Sequence, residues 1–235
     1  MNVWLLVCCA VLTALEALTV GFAGRWAERG ITCVLPMNVG AIGRLFAAFA
    51  AAVAVHNQGR GVSAATATAA AVWLAFLAAD SDLGSRKIPR EACWAVYVVG
   101  VGCAITGSGP AGWTSLGVAL LVAYAPMALA SRLGKGGMGY ADVRLIIAFC
   151  LTLAWWAGAY PVMVGLILGC VLQLVFGHLA VRLIRGRATQ NENGKRRRLL
   201  PFGPALSVGT VVGLVLALTS GQSACQDLAG IVGCG

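Results

Sequence analysis

The sequence predicts an all-α fold, a polytopic transmembrane helical bundle of about eight spans, and three observations lead there. Hydrophobic residues make up 60% of the chain and charged ones only 11%, where a soluble domain carries about a quarter charged residues. Apolar runs recur at roughly the 17–25 residues that a helix needs to cross a bilayer, and the mean hydropathy is +0.86. Lys and Arg gather in alternate connectors between those runs. Residues 1–235 therefore read as a single integral-membrane domain, with no soluble domain left over.

The expected spans centre on Leu12, Ala50, Trp73, Val99, Leu120, Leu151, Leu168 and Leu214. The first has neither a basic segment before it nor a small-residue cleavage site, so it reads as a retained span. Arg25 and Arg29 follow it, opening a connector that is expected to run to about Arg44. The second span leads into His56-Asn-Gln-Gly-Arg60-Gly, where His56 is expected in the loop. The third contains Thr66-Ala-Thr-Ala-Ala-Ala, small residues that let helices approach closely in lipid. Arg86, Lys87 and Arg90 follow it, and Pro89 is placed to begin the next helix, where its missing N–H costs nothing.

The fourth and sixth spans are short and interrupted by Gly or by Trp155-Trp156, a pair that suggests an aromatic belt at the outer face. Between the fourth and fifth, Thr106–Gly112 carries no charge. Arg132, Lys135 and Arg144 bracket the connector after the fifth. His178, Arg182, Arg185, Arg187 and the run Lys195-Arg196-Arg197-Arg198 mark the end of the seventh. With both termini outside, nearly every Lys and Arg faces the cytoplasm, as orientation rules require.

The net charge of +9 does not point to nucleic acid, because the basic residues follow this loop alternation rather than forming one face. The Lys195–Arg198 run reads as a cytoplasmic segment touching anionic membrane lipid. Nine cysteines are scattered without a CxxC, which argues against a zinc ribbon or a redox motif. Cys8, Cys9, Cys103, Cys150 and Cys170 lie in apolar runs and suit packing as small hydrophobes. Cys225 and Cys234 are the pair placed to form a disulfide. No metal site and no cofactor are expected.

Chemistry is expected where carboxylates are expensive. Three of the eight acidic residues, Asp80, Asp82 and Asp142, fall at the ends of expected spans on one side of the membrane. Two carboxylates that share a proton make the acid–base pair of an aspartic protease. Plainer readings stand beside this one: Asp80 or Asp82 as an interfacial residue paired with Arg86 or Lys87, and Asp142 as the N-cap of a helix beginning at Val143. Gly134-Lys-Gly-Gly-Met-Gly139 is too Gly-rich for a helix interior and suits the close approach of an extended peptide. Glu16, inside the first span, is expected to be neutral or hydrogen-bonded.

The segment Gly137-Met-Gly-Tyr-Ala-Asp142-Val-Arg-Leu145 closely resembles the GMGYGDxKL motif of the type IV prepilin peptidases, membrane aspartic peptidases with a GxGD-type signature. Asp82 through Ile88-Pro89 is similar to that family's second motif, an Asp followed by (I/L)P. Leu200-Pro-Phe-Gly-Pro204 is similar to its PFGP element. The resemblance implies Asp82 and Asp142 as the catalytic pair, with Gly137, Gly139, Pro89 and Arg144 against the substrate. It implies a prepilin or pseudopilin substrate, cut between a basic leader and an apolar helix at the cytoplasmic face of the inner (plasma) membrane. Ala141 and Arg144 depart from the family's usual Gly and Lys. The first connector holds only Cys33, whereas longer members carry two CxxC pairs associated with N-methylation, so methyltransferase activity is not expected. Two other classes remain open: a small proton-coupled transporter using Asp142 as a relay, and a catalytically lapsed pilus-assembly scaffold.

Overall fold

The computed structural model describes residues 3–108, 110–133, 139–183 and 203–219. Gly137, Lys135, the Lys195–Arg198 run, Cys225 and Cys234 lie outside the described residues, as do the side chains of His178 and Arg182. Among the described residues every element is helical, and the segments join end to end into eight rods. They are α1 (Val3–Glu28), α2 (Met37–Asn57), α3 (Val62–Ser85), α4 (Arg90–Gly107), α5 (110–133), α6 (Tyr140–Ala157), α7 (Ala159–Leu183) and α8 (Gly203–Thr219). Each covers one expected centre. Among the described residues five segments are long and apolar enough to cross a membrane, namely α1, α2, α3, the Gly112–Leu129 part of α5, and α6. Ala159–Val175 of α7 and Gly203–Leu216 of α8 are shorter apolar stretches.

The bundle is organised around α3. Of its most apolar window 78% is buried inside the protein, against 28% for α1 and for α2, so α3 is the axis and the others keep a face for lipid. Its composition explains this. Ala64, Ala65, Ala67, Ala69, Ala70, Ala71, Ala75 and Ala78 are all buried, and small residues let neighbouring backbones come close where no hydrophobic effect drives helices together. Helices α1, α2, α4, α6 and α8 all pack on it.

The same device joins α7 to α8. Gly165 and Gly169 on one helix meet Gly209 and Gly213 on the other, each pair spaced as GxxxG. A Cβ on Gly165 would lie 2.8 Å from the Gly209 carbonyl oxygen, and one on Gly169 would lie 3.0 Å from the Leu206 Cα. Neither fits without moving a helix.

Helix α5 loosens into a π-helical segment at Leu120–Tyr124, and Pro126 accounts for it. Proline has no N–H to return to Val122, and the Ala125 N–H turns back five residues to the Leu120 carbonyl instead. A second π-helical segment, Cys150–Ala154, interrupts α6 where a Cβ on Gly100 of α4 would stand 3.0 Å from the Leu151 carbonyl oxygen.

Contacts between connectors define two ends. At one, Gln58 donates to the Leu218 carbonyl at 2.7 Å, and the Ser63 and Thr106 hydroxyls meet at 3.0 Å. His56 belongs to the last turn of α2 rather than to a loop, and stacks on Trp4 with ring centroids 4.1 Å apart. Trp155 is buried at this end rather than in an outer belt, because Gly107 and Gly112 leave room for its ring and backbone. Trp156 is half-buried and donates to the Thr152 carbonyl at 3.1 Å. At the other end lie the 29–36 connector, the turn from α3 to α4, and the N-termini of α6 and α8. There Lys87 donates to the Arg29 carbonyl at 2.6 Å, and Glu91 accepts from both Arg29 and the Trp26 indole.

The first connector is much shorter than the expected stretch from Arg25 to about Arg44. Helix α1 continues to Glu28 and α2 begins at Met37, so Arg44 lies inside α2, where it is buried.

Candidate active site

Asp82 sits in the last turn of α3 and is only 6% exposed. One of its oxygens, Oδ2, accepts from the Gly203 backbone N–H at 2.7 Å. That N–H belongs to the first turn of α8, where helix donors have no partner within the helix. Only glycine fits there, because a Cβ at position 203 would stand 2.9 Å from Oδ2 and 3.0 Å from the Asp82 Cβ. Arg86 closes α3 in the left-handed region at φ 58°, its N–H donating to the Asp82 carbonyl at 2.9 Å. Such a conformation is costly for a residue with a Cβ and sets where the chain turns away from Asp82.

Asp142 occupies the third position of α6. The helix begins at Tyr140 with Gly139 as its cap, so Asp142 is not the cap of a helix starting at Val143. Its Oδ2 reaches back to accept from the Gly139 N–H at 3.2 Å. A carboxylate in a first turn also suits the positive end of the helix dipole. The Asp82 carboxylate lies within electrostatic range of Asp142. Two rods from distant parts of the chain thus bring together the two residues singled out by sequence.

Asp80 does not join them. Residues two apart on a helix point roughly 200° apart, so Asp80 faces the opposite way. It pairs with neither Arg86 nor Lys87. Its Oδ1 accepts from the N–H groups of Val34 and Leu35, both at 2.9 Å, and its Oδ2 stands 3.9 Å from an Arg44 nitrogen. Arg44 also holds Glu16, whose second oxygen accepts from the Trp73 indole at 2.8 Å. Glu16 is therefore hydrogen-bonded as expected, through an arginine that the sequence reading had placed at a loop. Beside Asp80, partial burial and the neighbouring carboxylate push the Cys33 thiol up to about 11.

The remaining candidate residues separate. The Arg144 guanidinium lies over the Tyr140 ring at 4.5 Å, and its carbonyl accepts from the Tyr97 hydroxyl at 2.7 Å, tying α6 to α4. Gly139 is exposed next to Asp142. Pro89 caps α4 rather than opening its first turn, and its ring is fully buried. Its buried position shapes the turn from α3 to α4. Gly203, Arg44 and Tyr97 are the residues that sequence reasoning missed. Among the described residues no three His, Cys, Asp or Glu side chains gather as a metal-holding group.

Fold and site together define an all-helical membrane protein with two interacting carboxylates at helix ends on one side of the bundle. Residues 69–178 match the model of the type IV leader peptidase family. That stretch holds Asp82, Asp142 and the core of the bundle, and the match shows there the resemblance carried by the motifs. It points to a type IV leader peptidase-like protease. Searches of curated proteins and of solved structures gave no match.

Proposed function

We propose that the chain is an aspartic endopeptidase that removes the leader of a prepilin or pseudopilin, with Asp82 and Asp142 as its catalytic pair. The observation that carries this reading is that both carboxylates stand at helix ends on one side of the bundle, within electrostatic range, inside the stretch matching the leader peptidase family. In this reading the two carboxylates share one proton and titrate as a unit, as close pairs do. The ionised member takes a proton from water, and the water oxygen attacks the scissile carbonyl carbon. The protonated member donates to the carbonyl oxygen, and collapse of the tetrahedral intermediate passes a proton to the leaving amine. Gly139 and Arg144, neighbours of Asp142 in the chain, keep their expected part against an extended peptide by resemblance. Gly137, in the Gly-rich sequence before Gly139, keeps its expected part by the same resemblance.

The substrate's basic leader lies in the cytoplasm and its apolar helix in the inner membrane, so the bond between them comes to the cytoplasmic edge of the bilayer. The test is leader cleavage in membranes carrying a pilin-like substrate, with product mass read by spectrometry. Asp82→Asn and Asp142→Asn should each lower cleavage by about 10²–10⁴-fold, the usual contribution of general acid–base catalysis, while the protein still inserts. The released product should carry no N-methyl group. Full cleavage by either variant would overturn the pair.

A further inference from the structure

Asp80 takes no part in that chemistry, yet it is only 8% exposed and hydrogen-bonded across elements. Both of its bonds go to main-chain N–H groups of the 29–36 connector. The connector also lies directly on the end of α3, since a Cβ on Gly84 would collide with the Thr32 carbonyl. Behind Asp80 stands Arg44, 3% exposed, which bridges to Glu16 of α1. Gly40 leaves the space for this guanidinium: a Cβ there would lie 3.0 Å from Arg44 Nη1 and 3.5 Å from Asp80 Oδ2. One buried arginine thus faces two buried carboxylates on different helices, and one of those carboxylates grips a connector.

We propose that Asp80 is a positioning residue that hooks the 29–36 connector onto the C-terminal end of α3, so that this end is held from both sides. On one side Gly203 donates to Asp82; on the other the connector and Arg44, itself paired with Glu16, hold Asp80. The inference rests on the proposed peptidase reading for its effect on catalysis, but the hook itself does not depend on that reading. Its consequence is geometric. A reacting group displaced by about 1 Å loses on the order of 10²-fold in rate, and a turn held only through Gly203 is free to shift.

The amide nitrogen of an asparagine cannot replace Oδ2, but its oxygen can accept the same two N–H groups as Oδ1. Asp80→Asn should therefore keep the hook, whereas Asp80→Ala should lose it. The experiment measures hydrogen–deuterium exchange of the full chain in lipid nanodiscs, together with kcat and KM on a synthetic peptide of basic leader, Gly and apolar helix. In the unmodified protein the Val34 and Leu35 amides should exchange at least about tenfold below their intrinsic rates. Asp80→Asn should keep that protection and most of kcat. Asp80→Ala should release both amides, speed exchange in the 83–86 turn, and lower kcat by about 10²-fold with KM little changed.

Unprotected Val34 and Leu35 amides in the unmodified protein would overturn the hook, whether or not the alanine variant folds. So would an asparagine variant as damaged as the alanine one, while released amides with kcat intact would overturn the positioning role. If Asp82→Asn leaves cleavage untouched, the peptidase reading fails separately. The exchange of the 83–86 turn then decides alone whether Asp80 positions it.

Discussion

Asp82 and Asp142 were legible in the sequence because a carboxylate in an apolar run needs a reason to be there. Their surroundings were not. The Gly203 N–H that meets Asp82 lies 121 positions away in the chain, and no local pattern announces such a partner. Pro201-Phe-Gly-Pro204 was visible as a motif without a role; the role is a donor and an absence of side chain. Gly203→Ala should insert normally but lower leader cleavage about tenfold or more, because overpacking of about 1–3 kcal/mol displaces either Asp82 or α8. The same membrane cleavage assay checks it, and an alanine variant as active as the parent would show that the close approach is incidental. The register of Asp142 was ambiguous for a related reason. Asp is favoured both as a cap and within the first turn, so sequence alone does not decide whether α6 starts at Tyr140 or Val143. Asp80 misled more fully: beside Arg86 and Lys87 in sequence, it bonds instead to the amides of a connector some 45 residues earlier.

At the scale of elements, the centres of all eight rods were legible from hydropathy, since length and apolar content are local properties. Which helices touch was not. Abundant Gly and Ala signalled close packing in general, but only the fold pairs Gly165 and Gly169 with Gly209 and Gly213. This contact matters to the site because α8 carries Gly203. Gly209→Val should push α8 from α7 and withdraw the Gly203 donor from Asp82, lowering both thermal stability in detergent and cleavage. Gly117→Val makes the comparison, since nothing lies within 4 Å of a Cβ at that position, and it should leave both unchanged. Equal losses in the two variants would mean that valine in these helices, not the α7–α8 contact, is the cause. Trp155 teaches the converse lesson. A statistical preference for membrane interfaces yields to two glycines, Gly107 leaving an interior slot for its ring and Gly112 letting its backbone approach.

For the whole molecule, the distribution of charge decides orientation. Arg25, Arg29, Arg86, Lys87, Arg90, Arg132 and Arg144 belong to the end that holds the two carboxylates, and Arg60 to the opposite end. Arg44, buried against Glu16, drops out of this balance, which sharpens it. Positive residues in short connectors stay in the cytoplasm, so the end with Asp82 and Asp142 should face inward. The proposed chemistry demands the same orientation for an independent reason, because the basic leader to be removed is itself held on the cytoplasmic side. Reporter fusions after Arg90 and Arg132 should therefore read cytoplasmic, and those after Arg60 and Gly158 external. Together these four points test α3 and α6 each as a crossing, and α4 with α5 as a pair that must return the chain to the same side. A cytoplasmic reading after Arg60 would remove α2 or α3 as a span. An external reading after Arg90 would separate the carboxylates from the leader by the thickness of the membrane, and cleavage at this site would be impossible.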